Sequence, residues 1–345
     1  MTVDQSARRT TVTTTGGTGS QRQYLVLGVV VLLLALLPLV LPEERQGVAV
    51  RTLIFAILAV SWNVMSGYGG MFSFGHAAFF GIGAYVDAYL LVDHGISPWV
   101  AMVVGAAAAA LFGVATAYAS LRYKLAGAYF ALATFAFAQM LLLLVSNLSS
   151  LRGTEGYNVP ILSESSWSKI QFPQGDSRYY WIPLGLLAIA VAVKIALVNS
   201  RAGQFVVAAR DDATAAEALG IPVMRYRLLA VAISSAIAAV AGVYYVQYYL
   251  FVGPDNAFGG SVSIEAIVPA VIGGVGTIWG PLVGAAIVGP LSELTSTLLR
   301  NPPAALAFLE GKAGLDVITY AVLLIAIVIF LPRGVYGSLK ARFGR

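Results

Sequence analysis

The sequence predicts an all-α fold, a polytopic transmembrane helical bundle of eight to ten spans, and three observations lead there. Of the 345 residues 59% are hydrophobic and only 11% are charged, with a mean hydropathy of +0.82, too little charge to clothe a soluble globule of this size. The apolar residues fall into stretches of about 20, the length a helix needs to cross the hydrocarbon core. The 21 Lys and Arg gather in the short loops and tails between those stretches, a pattern that reports membrane orientation, so the net charge of +5 does not point to nucleic acid. Cysteine is absent, which removes disulfides, iron–sulfur clusters and thiolate chemistry. His76 and His94 are the two histidines, too few for a dedicated zinc site.

Residues 1–23 are rich in Thr, Gly and Ser with Arg8, Arg9 and Arg22, and read as a disordered basic cytoplasmic tail. Residues 24–41 carry nine leucines and five valines. On the insertion scale these favour spanning by about 4 to 8 kcal/mol, and Pro42-Glu43-Glu44 offers no small-residue cleavage site, so the segment is read as an uncleaved first span. Apolar runs follow at 50–66, 71–92, 98–120, 125–147, 179–198, 228–252, 264–278, 281–299 and 314–331, ten spans with the first. The run 264–278 is short and reads as a re-entrant or broken element. A permease domain thus covers 24–332, followed by a basic cytoplasmic tail, 333–345.

With ten crossings, the segments 1–23, 121–124, 199–227 and 332–345 share one compartment and hold 13 of the 21 Lys and Arg. Both termini are therefore assigned to the cytoplasm. The external loop 148–178 has Trp167, Pro160, Pro173 and mixed charges, enough for a small cap. The internal loop 199–227 contains a short surface helix over 211–220: Asp211 or Asp212 can cap its start, Gly220 takes the C′ position and Pro222 follows. Gly-rich stretches near the third span of each half suggest an inverted repeat of five helices each.

Candidate pathway residues come from those glycine-rich stretches. Six glycines in 66–85 surround Ser73 and His76 in an apolar and aromatic run that includes Phe79; the two polar side chains either line a pathway or bond neighbouring helices. Gly276, Gly280 and Gly284 stand at i+4 spacings, read as one helix face for close packing, and Gly276 and Thr277 are the second pathway candidates. A charge at the bilayer centre costs about 2.5 to 3.5 kcal/mol. Asp87, Lys194, Glu265, Glu293 and Asp316 all lie near span ends, within reach of an interface, which speaks against an ion-coupled secondary transporter. No G-x-x-x-x-G-K-[S/T], G-x-S-x-G or H-E-x-x-H motif occurs, so the chain is not read as an enzyme and a pump would draw its energy from another chain. The 199–227 loop is then either the docking element for that chain or a solvated connection.

GYGGMFSFGHAAFFGIGAY (67–85), Arg210-Asp211 with AAEALGIPVMRYRLLA (215–230) running into SSAIAAVAGVYY (234–245), VIGGVGTIWGPLVGAAI (271–287) and FLPRGVYG (330–337) together resemble the LivM-type permease subunits of branched-chain amino acid ABC importers. The resemblance implies a chain that holds no cofactor itself, paired with a LivH-type permease, two cytoplasmic ATPase subunits carrying ATP and Mg, and an extracytoplasmic solute-binding protein, all in the cell membrane. It also implies that Arg210, Asp211, Glu217, Ala218 and Gly220 couple the permease to the ATPases. Related permeases carry urea or short amides, so the solute is inherited by analogy. The 23-residue tail is longer than usual and the loop 148–178 has no counterpart in the resemblance.

Overall fold

The computed structural model describes residues 18–39, 41–162, 164–173, 175–300, 322 and 334–343. Helix α1 (Thr18–Ala35) precedes α2 (Glu43–Trp62), which continues as a π-helical turn over Asn63–Tyr68; then come α3 (His76–His94), α4 (Pro98–Arg122) and α5 (Ala128–Asn147). The second half has α6 (Arg178–Asn199), α7 (Arg201–Asp211), α8 (Ala213–Ala218), α9 (Val223–Tyr249), α10 (Pro254–Phe258), α11 (Gly260–Gly273), α12 (Gly280–Arg300) and α13 (Gly334–Phe343). Among the described residues, seven helical stretches are long and apolar enough to cross a membrane: Ser20–Leu39, Arg45–Tyr68, Pro98–Arg122, Ala128–Asn147, Arg178–Asn199, Val223–Tyr249 and Pro254–Gly273. Helices α3 and α12 fall outside that set yet pack within the bundle. The tenth expected span, 314–331, lies outside the described residues save Val322. The segments read as tails contain the start of α1 and α13, and Gly334 of α13 approaches Gly274 so closely that a Cβ would stand 2.5 Å from its Cα.

Helix α9, 27 residues and about 40 Å long, is the post against which α2, α3, α4 and α7 pack. Small residues make this contact close. A Cβ on Gly83 would stand 2.1 Å from the Ala239 carbonyl oxygen, and one on Gly242 would stand 2.0 Å from that of Phe80. Without a hydrophobic drive between helices in lipid, such backbone approach supplies the van der Waals contact that holds them.

Two chain segments break inside the bundle. After the π turn, residues 69–75 leave helical geometry, and α3 starts at His76, five residues later than the apolar run 71–92 suggests. In the second half the chain passes from β2 (Phe251–Val252) through α10, whose Phe258 fills the space over Gly81, and α11 then begins beside the start of α3. Helix α3 leaves this point toward the cap, α11 toward the opposite end, as an inverted pair would. The expected 264–278 element is thus broken, and its helix begins earlier, because Pro254 and Gly259–Gly260 open the two pieces.

The loop 148–178 forms a cap. Its strand β1 (Tyr157–Asn158) pairs antiparallel with β2, Trp99 Nε1 donates to the Trp167 carbonyl at 2.9 Å, and Arg152 bonds Asp93 at 2.9 Å. Tyr157, also bonded to Asp93, has its hydroxyl pKa pushed up to about 12, by burial first and then by that carboxylate.

Three expectations are corrected. Lys194 does not reach an interface: it is fully buried, with Nζ donating to the Ile278 carbonyl at 3.1 Å and 5.8 Å from the Tyr68 ring centre. Asp87 is equally buried and accepts from the Gln247 amide, because α9 covers the face of α3 that carries it. Gly276 does not share a helix face with Gly280 and Gly284, since α12 starts only at Gly280; the latter two pack onto Gly273 and Pro269 of α11.

Candidate functional site

Non-helical backbone at membrane depth persists only where protein groups satisfy it, and 69–75 shows how. Ser66 Oγ donates to the Met71 carbonyl at 3.0 Å and accepts from the Ser73 amide at 3.2 Å. Thr134 of α5 accepts from the Phe74 amide at 3.2 Å, Ser73 Oγ from the Gly75 amide at 3.1 Å, and Trp62 Nε1 donates to the Ser73 carbonyl at 2.8 Å. Most of these partners are hydroxyls or an indole on the adjoining helices, and Ser73 supplies one from the segment itself.

His76 closes this network. Its Nδ1 lies 3.2 Å from Ser73 Oγ and its Nε2 3.0 Å from Ser234 Oγ. The Ser234 hydroxyl donates its proton to the Ser61 carbonyl at 2.7 Å, so it accepts from Nε2–H, and Nδ1 accepts from Ser73. Ser73, His76 and Ser234 are fully buried, and Phe79 meets the His76 ring edge-on at 5.5 Å. In this conformation the first candidate set bonds α2, α3 and α9 together.

The second candidate set lies elsewhere, at the 274–279 loop. The Gly276 amide donates to Asn63 Oδ1 at 2.7 Å, and Asn63 Nδ2 donates to the Thr277 carbonyl at 2.8 Å. Asn63, absent from the sequence reading, thus acts as a side-chain substitute for a strand partner. Gly276 and Thr277 border a largely apolar cavity of about 1010 Å³ together with Tyr68, Leu187, Leu282 and Tyr336. The π turn 63–68 stands between the two sets, touching one through Ser66 and the other through Asn63. A buried asparagine in an apolar run was the available signal.

The 199–227 loop is more helical than expected, with α7 preceding the anticipated short helix. Asp212 is the N-cap, accepting from the Ala215 amide at 2.9 Å; α8 runs Ala213–Ala218, and Gly220 has φ +80. Asp211, Glu217, Ala218 and Gly220 are exposed, as is Leu219 at 81%, an apolar residue the sequence reading passed over. Arg210 is exposed as well, yet its side chain also reaches back to the bundle. Its Nη1 donates to the Gly67 carbonyl at 3.1 Å, its stem covers Gly70 (φ +68), and its Nη2 holds Asp211 at 2.7 Å. The exposed α8 is therefore wired, through α7, to the glycine-rich break.

Comparison with known proteins bears on this arrangement. A family model described as branched-chain amino acid transport system / permease component matches residues 45–331. The high-affinity branched-chain amino acid transport system permease protein LivM of Escherichia coli (strain K12) is 28% identical over 301 residues, covering 81% of this chain and 69% of LivM. LivH of Salmonella typhimurium is 28% identical over 298 residues, 82% of this chain and 91% of LivH, and BraD of Pseudomonas aeruginosa is 24% identical with the same coverage. No solved structure matches.

Proposed function

Because the chain belongs to the branched-chain amino acid transport system permease-component family, as its LivM-type motifs imply, we propose that it supplies half of an ABC importer's translocation pathway for small apolar amino acids. The chain is a multi-pass membrane protein and a transport permease component. On our reading a LivH-type permease forms the other half, a solute-binding protein docks on the capped end, and two ATPase subunits with ATP and Mg bind the α7–α8 end, placing both termini in the cytoplasm.

The observation that supports this reading is the contact of Arg210, on the helix that leads into exposed α8, with the Gly67 carbonyl and with Gly276 of the 274–279 loop. A short exposed helix packed on α7, whose Arg210 bonds the interior break, can convert movement of a soluble motor into opening of the bundle. The buried bonds of Ser73 and His76 must then exchange partners when the pathway opens. Gly276 and Thr277, already beside a cavity, would line it first.

Reconstitution tests the reading. Uptake of leucine into proteoliposomes should require the chain, the second permease, the ATPases, ATP and the binding protein together. Glu217→Arg and Leu219→Asp should leave insertion intact while abolishing ATPase pull-down. Ion-driven leucine uptake by this chain alone would make it a secondary transporter instead, and ATP-driven uptake of urea or acetamide without leucine would reassign the solute.

A further inference from the structure

Arg51 of α2 and Glu265 of α11 form an ion pair, Nη2 to Oε1 2.9 Å, inside two membrane-crossing stretches. Glu265 stands near the middle of Pro254–Gly273, not at the span edge where the apolar run 264–278 would place it. The two side chains are 44% and 33% exposed on the bundle surface. Lipid is a poor neighbour for such a pair, so this face meets protein or water in the assembled transporter. Beside the pair lies a recess of about 60 Å³, also bordered by Phe55, Pro269, Val288 and Glu293. With water occupying about 30 Å³ per molecule, the recess suits a charged head group, not a whole solute.

Two acceptors there lack a donor. Glu265 Oε2 is buried and unpartnered among the described residues. Pro269 has no N–H, so the Glu265 carbonyl four residues earlier lacks its helical donor. Where Pro183 frees the Tyr179 carbonyl in the same way, the Tyr244 hydroxyl donates to it at 2.5 Å. Glu293 adds a second carboxylate at the rim. Beside them, the Arg51 guanidinium, one of whose N–H groups bonds Glu265, is part-exposed at the bundle surface.

We propose that this recess is a zwitterion-binding station on the translocation pathway, taking an α-ammonium on Glu265 and Glu293 and the adjoining α-carboxylate on Arg51. The solute's apolar side chain extends past Phe55 and Val288 onto the facing subunit. The proposal rests on the amino-acid importer reading and adds the group that the membrane part recognises. A phosphatidylethanolamine head group carries the same ammonium and anion, so the test must separate lipid from free solute.

The test measures equilibrium binding of radiolabelled leucine to the assembled complex, without the solute-binding protein, in phosphatidylglycerol nanodiscs with and without phosphatidylethanolamine. Leucinamide and 4-methylpentanoate, each lacking one charge, should compete at least 10-fold more weakly than leucine. Arg51→Gln and Glu265→Gln should each weaken leucine binding at least 10-fold while basal ATP hydrolysis persists. Exchanging the pair, Arg51→Glu with Glu265→Arg, keeps an ion pair for folding and should still bind poorly. Equal competition by all three compounds, wild-type affinity in the exchanged variant, or leucine binding that ethanolamine lipid alone abolishes or confers would overturn the station. Full uptake by a wild-type complex that binds no leucine would overturn it too and leave the importer reading standing; absence of any amino acid uptake would end both.

Discussion

The main-chain N–H of Ala77, second residue of α3, donates to Ser263 Oγ, on the fourth residue of α11, at 3.1 Å. Two helices that start inside the bundle and leave toward opposite ends are thereby pinned start to start. Helix starts present N–H groups that lack intrahelical partners, and here one start supplies the hydroxyl that satisfies the other.

Ser263→Ala should therefore leave the Ala77 amide unpaired in an apolar site and destabilise the protein by about 1 to 3 kcal/mol. Thermal unfolding in detergent, followed by intrinsic fluorescence, measures this. Ser263→Thr keeps the hydroxyl and should restore most of the loss; equal melting of Ser263→Ala and wild type would show that the pin is dispensable.

Gly242→Ala places a methyl group 2.0 Å from the Phe80 carbonyl oxygen, an atom of the helix backbone that cannot swing aside. Overpacking of this kind costs about 1 to 3 kcal/mol or more. Gly185→Ala, with nothing within 4 Å of the added Cβ, is the matched control. Yield of monodisperse protein should fall for the first substitution and hold for the second.

Arg210→Gln removes the bond to the Gly67 carbonyl and bares Gly70. On the importer reading, ATPase docking should survive, because α8 keeps its Asp212 cap, whereas leucine moved per ATP hydrolysed should drop at least about 10-fold, equivalent to roughly 1.4 kcal/mol of lost coupling. Unchanged stoichiometry would place the coupling route elsewhere.

The cap should loosen in acid. Arg178 donates to both Asp176 carboxylate oxygens, at 2.6 to 3.0 Å, and these bonds hold the Asp176 pKa below its ordinary 3.8. A depressed pKa contributes stability that is present above the unfolded value and lost as pH falls from about 4 through the folded value. Limited proteolysis within 148–178 should accelerate below pH 4 in wild type, and Asp176→Asn should be cut at pH 7 at a rate that changes little with acid. The arginine also lies 4.3 Å from the Phe172 ring centre, so Arg178→Ala should expose the cap more than Asp176→Asn does.

Legibility in the sequence followed the range of the interaction. The Asp212 cap and the Gly220 C′ position were readable because capping involves residues a few places apart, and the cap loop was readable from its composition. Asn63 was missed because its partners, Gly276 and Thr277, lie 213 and 214 residues away. Lys194 and Asp87 were misplaced for a related reason: distance from a span end says how far a side chain must reach, while a neighbouring helix decides whether the route is open.

By itself the sequence determined that this chain is all-α, that it crosses a membrane many times and which loop is the polar surface helix, since transfer free energy and helix capping act on contiguous residues. Only the tertiary structure decided that α3 and α11 start face to face, that Arg51 meets Glu265 at the centre of a span, and that Arg210 ties α7 to the glycine-rich break. Those contacts depend on which helix faces meet, and spans that are apolar on every side carry no amphipathic stripe to say so.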